Sequence, residues 1–103
     1  MTETVSFVVH LPAKTEQREA FMASLLPVLN EMSKEPDFVN TYLHRSLQDP
    51  DTLVLYETWA CSKDEFLAKH LTKPYRVAYE AQLGEMLKAP RSIEFLEPVR
   101  AFG

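Results

Sequence analysis

The chain has one cysteine, Cys61, and two glycines in 103 residues. A lone cysteine closes no intrachain disulfide, and so few glycines leave no glycine-rich loop to cradle a nucleotide phosphate. There is no CxxC pair and no HExxH motif, and the three histidines, His10, His44 and His70, fall on different expected elements, so no metal site is read from the sequence. Lysine and arginine form no run, and the net charge of −4 with a pI near 5.3 argues against nucleic acid as a partner. No apolar run approaches the roughly 20 residues needed to cross a bilayer. The start, Met1-Thr2-Glu3-Thr4, lacks the basic and apolar parts of a secretion signal, so the expected location is the cytoplasm, away from membranes. What is present is an ordinary globular composition, 46% hydrophobic and 25% charged, which leads us to expect one compact domain spanning residues 1–103.

Element signals follow in order. Val5 to Leu11 is β-branched and aromatic enough for a strand, with Pro12 ending it. Thr15 is placed to cap a helix whose Phe21, Leu25, Val28, Leu29 and Met32 recur at helical spacing, with a bend expected at Pro27. Phe38 to Gln48 and Thr52 to Trp59 read as the strands of a hairpin, turning at Asp49-Pro50-Asp51. Ser62-Lys63-Asp64-Glu65 matches a capping box that opens a short helix to about Leu71. Thr72-Lys73-Pro74 restarts a helix that stops before Pro90, and Ser92 to Val99 forms the last strand.

This βαββααβ order predicts a ferredoxin-like α+β sandwich, with helices on one face of a four-stranded antiparallel sheet. In the second hairpin strand Leu53 and Leu55 point one way, and Val54 and Tyr56 the other, so both faces of the sheet are apolar. A second copy packed face to face about a two-fold axis covers the exposed side, and a homodimer is expected.

Titratable and aromatic side chains gather in the second half. Tyr56-Glu57-Thr58-Trp59, then His70, then Pro74-Tyr75 and Ala89-Pro90-Arg91-Ser92 resemble, in that order, the signature of the antibiotic biosynthesis monooxygenase domain family. The resemblance runs from about Phe38 to Val99 and implies the family's dimeric α+β barrel. It also implies a pocket between sheet and helices, lined by the matched tryptophan, the helix histidine and tyrosines. His70 sits about two residues later after the tryptophan than in the commonest version, and Leu55 stands where some family oxygenases place an asparagine.

Cofactor-free oxygenation needs an electron-rich substrate, a base that forms its anion, and a water-poor pocket where that anion passes an electron to oxygen. The expected assignment makes His70 and Trp59 catalytic, with Tyr42, His44, Phe66, Tyr75, Tyr79 and Arg91 binding a small aromatic or quinol-like molecule alongside molecular oxygen; no cofactor or metal is called for. Plain structural readings stand beside these. Trp59, Tyr75 and Tyr79 also suit a core, His70 suits a helix C-terminus, and Arg91 suits the surface. Glu57 reads as an ion-pair partner whose neighbours depend on hairpin register, with either His44 or Arg45 opposite it. Cys61 reads as a small buried cysteine, with no general base evident beside it. Three other functions remain in view: an isomerase or lyase of a phosphorylated carbonyl compound, of the autoinducer-2-phosphate type, using Arg91 and His44; a haem-degrading monooxygenase; and a non-catalytic dimeric ligand-binding protein.

Overall fold

The computed structural model describes residues 3–103. Four strands, β1 (Val5–Pro12), β2 (Phe38–Arg45), β3 (Thr52–Trp59) and β4 (Ser92–Leu96), form one antiparallel sheet in the order β2-β3-β1-β4. Helix α1 (Arg18–Met32) follows β1, while α2 (Lys63–Glu65) and α3 (Val77–Met86) lie between β3 and β4. This is the expected ferredoxin-like α+β arrangement.

Alternation along β1 and β3 sorts the faces. Val5, Phe7, Val9 and Leu11 pair with Trp59, Glu57, Leu55 and Leu53 on the helix side, and all eight are buried. Phe21, Leu25, Val28 and Met32 of α1 pack onto that surface. The opposite face carries Val8, Val54, Tyr56 and Tyr42, with Tyr42 57% exposed.

Several boundaries differ from the sequence reading. Strand β2 stops at Arg45 rather than Gln48, because the Ser46 hydroxyl accepts from the backbone N–H groups of Gln48 and Asp49 and turns the chain early. The register then places Thr41 opposite Glu57, and His44 and Arg45 opposite Val54 and Leu53, so neither anticipated partner of Glu57 is correct. A bulge at Val39 carries Phe38 edge-on to Trp59, 5.4 Å between ring centres. Thr15 does not cap α1; its hydroxyl donates to Asp51 at 2.6 Å. Helix α1 runs through Pro27 without interruption.

The capping box at Ser62 forms on both sides. From Phe66 to His70, however, the helix widens into a π turn, closed by Leu71 N–H donating to the Phe66 carbonyl. A 3-10 turn at Pro74–Arg76 leads into α3, which ends at Met86 because Leu87 bridges to Ala13 and Lys88 N–H donates to the Pro12 carbonyl. Strand β4 ends at Leu96 instead of Val99, and Val99 and Phe102 are almost fully exposed.

Candidate functional site

Between the sheet and the helices lies an apolar cavity walled by Val9, Leu55, Phe66, Leu25 and Val28, into which Glu57, Arg76, Tyr79 and Arg91 project. Its volume of about 20 Å³ suits one water-sized molecule. A ring fits only if the half-buried Leu29, Leu71, Arg91 and Ile93 at its margin swing outward.

Glu57 is the chemical centre of this space. It stands on the helix face of a central strand, 4% exposed, and its Oε1 accepts the Trp59 indole N–H at 3.0 Å. Strand periodicity accounts for that bond, since residues two apart share a face. Burial pushes the Glu57 carboxyl above its ordinary range, opposed by the Trp59 hydrogen bond and by the charge of Arg76. Glu57 forms no salt bridge among the described residues, which corrects its reading as an ion-pair partner.

Arg76 is buried at the end of the 3-10 turn before α3. Its Nη2 donates to Glu80 at 3.0 Å and its Nη1 contacts the Met32 sulfur, while Nε has no partner among the described residues. Arg91 Nη1 donates to the same Glu80 oxygen. Burial works to raise the Glu80 carboxyl, but its hydrogen bonds from Arg91 and Arg76 hold it below the usual value. Tyr79 is pushed up to about 12, chiefly by burial, and so stays protonated. The result is a water-poor space holding a proton-avid carboxyl, an unsatisfied guanidinium N–H and a phenol.

The sequence-predicted residues divide into four groups. Phe66, Tyr79 and Arg91 border the cavity. Trp59 and His70 pack together behind it at 4.4 Å between ring centres, with Phe66 against both. His70 is absent from the cavity lining, and both its ring nitrogens contact carboxylates, Nδ1 to Glu35 at 3.2 Å and Nε2 to Asp37 at 3.0 Å. Its expected place as the base facing the cavity is therefore corrected. Tyr42 and His44 lie on the far side of the sheet, where Tyr42 stacks on Tyr56, because the register pairs them with the outward-facing Tyr56 and Val54. That placement also separates His44 from Arg91, the pair an isomerase of phosphorylated compounds would need. Tyr75 is half-buried away from the cavity, its hydroxyl unpartnered.

Arg76 carries little functional signal in the sequence. Its one available signal was its place in the Pro74-Tyr75-Arg76 turn, three residues before Tyr79, which puts both side chains on one side of the incoming helix.

The family model described as antibiotic biosynthesis monooxygenase matches residues 4–82. Among solved structures, Rv0793 from Mycobacterium tuberculosis is similar at 24% identity and a TM-score of 0.85, covering 97% of this chain and 99% of that one. A candidate antibiotic biosynthesis monooxygenase from Nitrosomonas europaea is similar at 21% identity and a TM-score of 0.85, covering 100% and 97% of the two chains. One from Caulobacter crescentus gives 21% identity, a TM-score of 0.85 and coverage of 96% and 92%. At these identities the structural likeness establishes the fold. No curated protein sequence matches this chain.

Proposed function

Because the chain belongs to the antibiotic biosynthesis monooxygenase family, we propose that it oxygenates a small, electron-rich aromatic or quinol-like molecule without a cofactor, using the cavity around Glu57. The observation that carries this reading is a buried carboxyl with a raised proton affinity inside an apolar pocket, next to a guanidinium N–H with no partner. Glu57 takes the substrate hydroxyl proton. Arg76 Nε and the protonated Tyr79 hydroxyl then hold the resulting oxyanion. The anion passes electrons to oxygen; one oxygen atom enters the substrate and the other leaves as water, with all electrons supplied by the substrate. Apolar walls keep bulk water from the anion. Trp59 acts as a positioning residue, because its indole N–H fixes the Glu57 carboxyl. His70 supports Trp59 from behind.

The working unit in this proposal is a homodimer joined through the open sheet face. Val8, Val54, Tyr42 and Tyr56 give that face an apolar centre, and the Asn40 amide oxygen beside them is buried without a partner, an acceptor that a second copy can satisfy.

Oxygen consumption with a panel of hydroquinones and anthrones tests the reaction. Wild type is expected to consume oxygen with at least one of them. Glu57→Gln should lose about 100-fold or more, the usual scale of general-base catalysis, whereas His70→Ala loses less. No uptake by wild type with any of these substrates, or full activity in Glu57→Gln, overturns the assignment.

A further inference from the structure

A second polar cluster lies outside the cavity, where three loops meet. Asp37 closes the connection from α1 to β2, Cys61 follows β3, and His70 ends the π turn. The Ala60 N–H donates to the Asp37 carbonyl at 2.6 Å, which ties the first two loops together. The π turn rotates His70 inward to 2% exposure. Asp37, Cys61 and His70 thus bring one carboxylate oxygen, one sulfur and one imidazole nitrogen within 4.8 Å of one another.

We propose that Asp37 Oδ2, Cys61 Sγ and His70 Nε2 form a zinc site, with Glu35 as its outer support and a water molecule as the fourth ligand. Ligand chemistry selects the metal class. Sulfur and imidazole favour zinc over magnesium or calcium, which prefer oxygen, and three protein ligands of these types suit a tetrahedral ion. Imidazole geometry points the same way. A neutral histidine donates from only one ring nitrogen, yet here carboxylates stand at both. In one arrangement Nδ1–H donates to Glu35 and Nε2 turns its lone pair toward Asp37, where a cation bound by both makes the contact favourable. The Glu35–His70–metal chain that results is the usual outer-sphere arrangement of a ligating histidine.

Charge balances as well. A neutral imidazole, a carboxylate and a thiolate cancel a doubly charged ion. Lys69, 59% exposed and paired with Asp37 at 3.1 Å, can swing away to make room. Tetrahedral zinc wants its ligand atoms roughly 3.4–3.6 Å apart, so closing the site takes side-chain movement of about 1 Å. The ion would pin the α1–β2 loop to the chain following β3.

Cobalt substitutes for zinc and makes a thiolate ligand visible. The full chain, stripped with a chelator under reducing conditions, is titrated with Co²⁺. The expected result is one equivalent bound, with tetrahedral visible bands and a near-ultraviolet thiolate-to-cobalt absorption, both erased by Zn²⁺. Cys61→Ser should lose the charge-transfer absorption. Asp37→Asn, whose side chain is partly exposed and so tolerant of change, should bind at least tenfold more weakly. Glu35→Gln should keep the absorption with affinity lowered by about 10- to 100-fold. Absence of the charge-transfer absorption in wild type, its survival in Cys61→Ser, or unchanged affinity in Asp37→Asn each overturns the proposal.

Discussion

A carboxyl group shut away from water holds its proton to a higher pH, and among the described residues Glu57 accepts one hydrogen bond, from the Trp59 indole N–H, with the Arg76 charge acting in the same direction as that bond. Its folded proton affinity is raised from an ordinary value near 4.5, so above that pH the unfolded chain releases a proton that the folded protein still holds. Stability is therefore complete below the unfolded value and declines as pH rises toward the folded one. Glu57→Gln keeps an acceptor for Trp59 but has no charge to bury. Its melting temperature should match wild type at about pH 4 and exceed it by a margin that widens while only the unfolded chain has lost the proton, then levels off; a gap that shrinks with pH would contradict the placement of this group. The residue was legible in the sequence as part of Glu-x-Trp, but its role was not. That role depends on the absence of a cross-strand cation, which only the register reveals.

At the scale of elements, local chemistry was the most readable part of the chain. Ser62 and Glu65 form the anticipated capping box, and replacing Ser62 by Ala should cost about 1 kcal/mol in denaturant unfolding. No measurable change would mean that the box adds nothing to the helix it opens. The strands and their order also followed from alternation and turn residues. What stayed hidden depended on competition between local bonds. Ser46 captures two backbone N–H groups that a longer β2 would have used elsewhere, and every register inference downstream moved with it. The π turn was equally silent, because Phe66 to His70 carries apolar spacing that suits an ordinary helix. Convergence of Asp37, Cys61 and His70 could not be read, since loops far apart in sequence meet only in the folded chain.

For the whole molecule, the proposed dimer rests on the open sheet face. Placing a charge at its centre with Tyr56→Asp should convert a dimer into a monomer in sedimentation at micromolar concentration, with the helix-side core intact. A wild-type monomer under the same conditions would remove the dimer from the proposed working unit. The strand order carries a consequence of another kind. Strand β1, made first, sits between β3 and β4, and Ser6 pairs with Leu96. One edge of the central strand must therefore wait until β4 has been synthesised. Until β4 arrives, Phe7 lacks the neighbouring Phe95 ring, and the backbone edge of β1 on that side is unpaired. The topology that encloses the cavity thus also sets a clock, with folding completed late and the nascent chain most exposed to mispairing just before its last strand is made.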